Sequence, residues 1–249
     1  MADLPNTAHP YETLTPDAVL DAIESQGYWS DQRIYPLNSY ENRVYQVGIE
    51  ESDPIIAKFY RPGRWSREQI QEEHDFTLEL AEQELPVVVP RLSENGDTLR
   101  HFETKAQPST GFDFALYTRR GGRAPELDNL DHLEVIGRLM GRMHNIGASK
   151  PFIHRPAITL QSFAIDSADF LLASDFLPNS LKESYRSLSE DLITQLKQHF
   201  ANTPAKQIRL HGDCHVGNML WRDDAPNFVD FDDSRTGPAI QDLWMLLSG

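Results

Sequence analysis

LHGDCHVGNMLWRDDAPNFVDFDD, residues 210–233, gathers His211, Asp213, Cys214, His215 and Asn218 ahead of two short apolar runs, NMLW and NFVDF, that flank the turn-forming RDDAP. The cluster reads as a metal site, as the surroundings of a nucleophile, or as a polar loop capping two strands. The two runs predict a hairpin. With its turn centred on Asp224, Trp221 opposes Asn227, Leu220 opposes Phe228 and Asn218 opposes Asp230. Opposed side chains share a face about 5 Å apart at Cβ, so an amide oxygen and a carboxylate converge. Hard oxygen donors of this kind suit Mg²⁺, which keeps several waters and takes other ligands from substrate phosphates. Asp213 follows the strand-like KQIRL in a loop, where a carboxylate can accept a proton from an incoming hydroxyl without being buried.

The bulk composition constrains what such a site can serve. The chain has 249 residues, of which 39% are hydrophobic, enough for one large domain or two small ones with a real core. Its 38 acidic and 23 basic residues give a formal charge of -15. That balance argues against nucleic acid or an anionic membrane as the main partner. It would also repel a nucleotide, so a phosphate site here needs a local cation or a metal. A single cysteine excludes an internal disulfide and fits a reducing compartment. The opening MADLPNTAHP has neither a basic nor an apolar leader region, and no apolar run approaches the ~20 residues of a membrane span. The expected location is the cytoplasm.

Along the chain, TPDAVLDAIESQGY predicts a short helix capped by Thr15, with Pro16 at its first position. NRVYQVGIE and DPIIAKFY predict an antiparallel pair, and TLRHFET and FDFALYT two further strands. Between them SREQIQEEHDFTLELAEQE predicts a helix with Ile70, His74, Leu78 and Ala81 on one face. RRGGRAPEL, residues 119–127, breaks the pattern and places a hinge. LDHLEVIGRLMGRMHNIG predicts a core helix through Leu133, Ile136, Met140 and Met143, with Asp131 and Glu134 as a capping box and Gly147 at its end. SLKESYRSLSEDLITQLKQHF predicts a longer amphipathic helix.

The spacing H-x-D-x-x-x-x-N, followed twelve residues later by an aspartate on the returning strand, is that of a kinase catalytic loop and its metal-binding aspartate. His211, Asp213, Asn218 and Asp230 fit it in order. On these residues, and on LNSYENRVYQ, KFYRPGRW, EEHDF, FIHRP and VDFDDSRTGPAIQDLWMLL, the chain resembles the aminoglycoside-phosphotransferase and choline-kinase branch of the protein-kinase-like fold. Within that branch it resembles the bacterial cytoplasmic serine/threonine kinases of stress response. The resemblance implies that Asp213 is the catalytic base, with Asn218 and Asp230 holding Mg²⁺ on the ATP phosphates. It implies Lys58 as the contact to the α and β phosphates, with Glu73 or Glu72 as its acidic partner. LNSYENR takes the place of the phosphate-covering hairpin without a glycine, so Ser39 and backbone N–H groups are expected to cover the phosphates. Asp242 resembles the structural aspartate that braces the catalytic loop; by itself it reads as an acid at a helix N-terminus.

Plainer readings exist for each residue alone. His211, Asp213 or Asn218 singly reads as a turn or cap, Lys58 as a solvated strand lysine, and Tyr117 and Phe114 as adenine-slot walls or core. Zinc on His211, Cys214 and His215 lacks a fourth donor, since the sequence has no other cysteine and no later histidine. As a nucleophile Cys214 would need an oriented base, and its flanking aspartate would raise its pKa; it reads as a small buried residue. His144 and His154 read as satisfied core or loop histidines, and Asp233 as solvent-facing beside an undecided Asp232.

The expectation is an α+β, bilobal protein-kinase-like fold, with a β-rich N-lobe over residues 1–118 and a mainly helical C-lobe over 119–249. Its function is expected to be ATP- and Mg²⁺-dependent phosphoryl transfer to a protein serine or threonine. A small hydroxylated molecule is the alternative acceptor, and a nucleotide-binding module without turnover the alternative class. Compared with the family, the chain is expected to lack further C-terminal helices, leaving Leu243, Trp244, Leu246 and Leu247 short of cover and open to self-association.

Overall fold

The computed structural model describes residues 9–104 and 107–248; residues 1–8, where the absence of a leader was read, lie outside them. In chain order come α1 (Pro16–Glu24), β1 (Ser30–Leu37), β2 (Arg43–Ile49), β3 (Ser52–Phe59), α2 (Arg67–Glu82), β4 (Arg100–Thr104), β5 (Gln107–Thr118) and α3 (Leu130–Gly147). There follow α4 (Asp166–Ala173), α5 (Asn179–Asn202), β6 (Gln207–Arg209), β7 (Met219–Arg222), β8 (Ala225–Phe228), β9 (Thr236–Pro238) and α6 (Ile240–Ser248). The fold is α+β. Its contacts divide into two compact units, Met1–Ile136 with Gly217–Asp232, and Gly137–Val216 with Asp233–Gly249.

The first unit is built on an antiparallel sheet of order β1-β2-β3-β5-β4. The period of two along each strand sorts its side chains. Ile55, Ala57 and Phe59 of β3 and Phe112, Phe114 and Leu116 of β5 share one face, packed with Val19, Ala22 and Ile23 of α1. Thr15 caps α1 by accepting from the Ala18 N–H at 3.2 Å. Lys58 alternates onto the other face, where Tyr60 and Ala115 pack with Ile70 of α2. A Ser66–Gln69 capping box starts α2, whose buried residues include Ile70, Glu73, His74, Thr77 and Leu80. The expected stripe through Leu78 and Ala81 is therefore rotated, and those two are half-buried. The cause is Glu73, which hydropathy assigns to solvent and Lys58 draws inward. The sequence reading missed β1, because Pro36 and a register shift between Ser30 and Ile34, with Gln32 at φ +66°, interrupt its alternation. At the start of α3 the cap is Asn129, whose Oδ1 accepts from Asp131 N–H at 3.0 Å and His132 N–H at 3.4 Å, rather than a box from Asp131 to Glu134.

The hairpin forms with its register displaced by one from expectation. Met219 opposes Phe228, Leu220 opposes Asn227, Trp221 opposes Pro226 and Arg222 opposes Ala225. The reason is the turn. Asp223 and Asp224 both have positive φ, 53° and 63°, as the two-residue I′ turn demands, and that turn matches the strand twist. Asn218 thus meets Val229, whose N–H donates to its carbonyl at 3.0 Å. Outer contacts seat the hairpin in this unit: Phe228 N–H donates to Pro86 O at 2.8 Å, and Trp221 N–H donates to Arg123 O at 2.7 Å. Because the second I′ position favours glycine, Asp224→Gly is expected to stabilise the protein by about 0.5–1 kcal/mol, read as a higher urea midpoint at constant slope.

In the second unit Met140 and Met143 of α3 are buried. A Cβ on Gly147 would lie 2.2 Å from the Arg209 carbonyl oxygen, which explains a glycine where α3 ends. β6 pairs antiparallel with β9. The predicted amphipathic helix forms as α5, but none of its residues is buried, and Leu188, Leu192, Leu196 and Phe200 are exposed. α6 buries Asp242 and Leu246 while Leu243, Trp244 and Leu247 are exposed.

Candidate active site

A cavity of about 340 Å³ opens within the first unit, on the Lys58 face of the sheet. Val44, Ile56, Val88, Tyr117, Leu220 and Phe231 supply apolar wall, and Ser39, Lys58, Glu73, Asn218 and Asp230 supply polar groups. The cavity thus brings together residues from β3, α2, the β1–β2 turn and the hairpin. Phe114 is not among its lining; one residue out of phase with Ala115, it stacks on Phe59 in the core at 5.2 Å between centroids.

Lys58 is the electrostatic centre. Its Nζ lies 2.9 Å from Asp230 Oδ1, 3.4 Å from Asp232 Oδ1 and 3.5 Å from Glu73 Oε1. Burial alone would favour the neutral amine, yet Asp230, Asp232 and Glu73 outweigh it and hold the ammonium well above the ordinary lysine range. Between the two candidate acids, Glu73 is the one that meets Lys58. Asp230 reaches the cavity by leaving the strand: its φ is +59°, so its carboxylate turns toward Lys58 although Val229, not Asp230, is in register with Asn218. Its side chain is half exposed, whereas those of Glu73 and Asp232 are buried. Asn218 and Asp230 are hard oxygen donors on one cavity, a set that suits Mg²⁺ completed by waters and phosphates. Among the described residues no group of three or more His, Cys, Asp or Glu could hold a metal alone.

Ser39 lies in the β1–β2 turn. It lines the cavity, and its hydroxyl donates to Asn42 O at 2.9 Å. Sequence reasoning did not single out Asp232 as a partner of Lys58, nor Arg64, which lies 3.4 Å from Asp232 Oδ2.

Asp213 belongs to the second unit, where its loop is tightly braced. The buried Asp242 carboxylate accepts from His211 N–H at 3.2 Å and Gly212 N–H at 2.9 Å, and bonds His144 Nε2 at 2.9 Å. His211 Nδ1 in turn accepts the Asp213 N–H at 3.3 Å. Gly212 has φ +90°, and a Cβ there would stand 2.0 Å from the Asp233 carbonyl oxygen. The Asp213 side chain itself is one-third exposed, with Oδ2 3.5 Å from His215 Nε2. Asp233 faces Arg235 at 3.6 Å.

Cys214 is fully buried, and burial first, then Asp242 and Asp213, push its thiol far up. Iodoacetamide at pH 8 is expected to leave Cys214 unmodified in the native protein and to alkylate it in urea; mass spectrometry distinguishes the two, and rapid native alkylation would contradict this burial.

Known proteins share this arrangement of sequence. Residues 33–249 match APH, the phosphotransferase enzyme family. Stress response kinase A of Shigella flexneri is 46% identical over 244 residues, 98% of this chain and 71% of the relative. Serine/threonine protein kinase RdoA of Salmonella typhimurium is 43% identical over the same shares. The solved structure of amicoumacin kinase hAmiN, in complex with AMP-PNP, Ca²⁺ and Ami, superposes with a TM-score of 0.72 at 20% identity, covering 88% of this chain and 64% of that one. That likeness concerns the fold. With a family match over most of its length and relatives of this identity, the chain belongs to the phosphotransferase enzyme family.

Proposed function

We propose that the chain transfers the γ-phosphoryl group of ATP, with Mg²⁺, to a serine or threonine hydroxyl of a protein. The observation that carries this reading is the convergence of Lys58, Glu73, Asn218 and Asp230 on one cavity. In this reading residues 1–118 act as the N-lobe and 119–249 as the C-lobe. Glu73 orients Lys58, whose ammonium moves from Asp230 to the α and β phosphates. Asn218 and Asp230 would hold Mg²⁺, which supplies charge neutralisation across the phosphates. Ser39 and the backbone of residues 38–42 cover the phosphates, and Tyr117 walls the base. Asp213 accepts the proton of the acceptor hydroxyl as its oxygen bonds to phosphorus and the bond to the ADP oxygen breaks. Phosphoryl transfer asks mainly for position and charge, and the cluster around Lys58 supplies both despite the acidic surface.

The names of the 43–46% identical relatives support a protein acceptor. The bound AMP-PNP and Ca²⁺ of hAmiN support nucleotide with a divalent ion, and its name motivates a small-molecule alcohol as the second reading. The test is incubation with γ-labelled ATP and Mg²⁺, offering a serine- and threonine-rich protein beside a panel of amino alcohols. Label on protein hydroxyls is expected. Label confined to an amino alcohol would favour the second reading, and stabilisation by Mg-ATP without any transfer would make the chain a binding module.

A further inference from the structure

The glycine-free turn over the cavity is pinned by the segment Arg61-Pro62-Gly63-Arg64. Arg64 N–H donates to Arg61 O at 3.2 Å and Gly63 has φ +78°, the pattern of a type II turn with proline second and glycine third. Such a turn brings its first and fourth residues close, and both arginines reach Glu41 at the tip of the β1–β2 turn. Arg61 NH1 is 2.5 Å from Glu41 Oε2 and Arg64 NH1 is 3.5 Å from the same oxygen. Other bonds fix the same tip: the Arg61 N–H donates to Asn42 Oδ1 at 3.2 Å, and the Tyr11 hydroxyl donates to Glu41 O at 3.0 Å. A conventional phosphate-covering loop bends through glycines; this one is bonded into place instead.

Arg64 also faces inward, 3.4 Å from Asp232 Oδ2, while the other oxygen of that buried carboxylate lies 3.4 Å from Lys58 Nζ. A continuous chain of charge therefore runs from Glu41 through Arg64 and Asp232 to Lys58. We propose that Arg64 is a positioning residue for the nucleotide phosphates, tying the turn that covers them to the Asp230–Asp232 segment. The inference rests on the reading of the cavity as the Mg-ATP site. During the proposed reaction Lys58 and Asp230 change partners, whereas the pairs of Arg64 with Asp232 and with Glu41 persist. Arg64 thereby holds the covering turn and the metal-bearing segment at one spacing when their shared lysine is drawn to the phosphates. It touches neither substrate, so its loss weakens binding of Mg-ATP more than the chemical step.

The test compares wild type with Arg64→Gln, Arg64→Lys, Glu41→Gln and the Arg64→Gln/Glu41→Gln double variant, measuring KM for Mg-ATP, kcat and the thermal shift with Mg-ATP. Arg64→Gln is expected to raise KM about tenfold with kcat within about twofold. Arg64→Lys keeps the charge and is expected to stay within about threefold of wild type. Glu41→Gln, which also loses Arg61, raises KM less, and the double variant is expected to fall short of the product of the two single effects, because the Arg64–Glu41 link is common to both. An unchanged KM in Arg64→Gln, multiplicative effects in the double variant, or a lower melting temperature with unaltered KM would each overturn the proposal. Should Arg64→Gln fail to fold, an unchanged KM in Glu41→Gln would overturn it. A wild-type protein showing neither turnover nor a Mg-ATP shift would instead refute the reading of the cavity, and this inference with it.

Discussion

Asp213→Asn is expected to lower kcat for phosphoryl transfer by about three orders of magnitude while leaving the dissociation constant of Mg-ATP within about threefold of wild type. The asymmetry follows from where Asp213 stands. The residues proposed to hold Mg-ATP, Lys58, Glu73, Asn218 and Asp230, line a cavity of the first unit, whereas Asp213 is proposed to act on the acceptor hydroxyl alone. Its own side chain is one-third exposed at the head of a braced loop, so a hydroxyl can reach it and its proton can leave. Asparagine keeps the shape and the backbone bond to His211 but removes the basic oxygen. Single-turnover phosphate transfer, paired with a nucleotide titration, separates the two effects. Undiminished transfer would remove Asp213 from the reaction, and a parallel loss of nucleotide affinity would make it a binding group.

The second large effect falls on Asp242, which braces the loop of His211, Gly212 and Asp213 inside the second unit. Its carboxylate is fully buried and holds two backbone N–H groups, those of His211 and Gly212, together with His144. Asp242→Ala leaves those donors without their acceptor, at an expected cost of about 3–5 kcal/mol in unfolding free energy. Asp242→Asn keeps one oxygen and should lose about half of that. Urea unfolding measures both. If the alanine variant lost less than about 1 kcal/mol, the brace would be a bystander, and Gly212 at φ +90° would be left to shape the loop alone.

That Asn218 and Asp230 line one cavity was legible because their spacing is local and their residue types are chemically narrow. Lys58 was legible for a different reason: a lysine in an otherwise apolar strand implies a partner, and the following helix offered Glu72 and Glu73. Choosing between them required the helix rotation, which depends on Glu73 being drawn inward against its own hydropathy. The hairpin register was misread by one because two adjacent aspartates both adopt left-handed backbone, a conformation that the sequence RDDAP permits without announcing. Asp230 compensates by a third left-handed residue, so the cavity acquires its carboxylate through a backbone excursion and not through cross-strand pairing. Asp232 and Arg64 stayed hidden because ion pairs between distant segments leave no periodic trace. α5 shows the converse limit. Its periodicity correctly specified a helix, but burial of a helix face is decided by neighbours.

Whether Asn218 and Asp230 together hold a divalent ion on the nucleotide is tested by a crystal structure with Mn²⁺ and a non-hydrolysable ATP analogue, with the metal located by its anomalous signal. One peak is expected within bonding distance of the Asn218 amide oxygen and the Asp230 carboxylate, with Lys58 Nζ released from Asp230 onto the phosphates and Glu73 still beside it. A peak coordinated elsewhere, or a cavity empty of nucleotide at saturating concentration, would contradict this expectation.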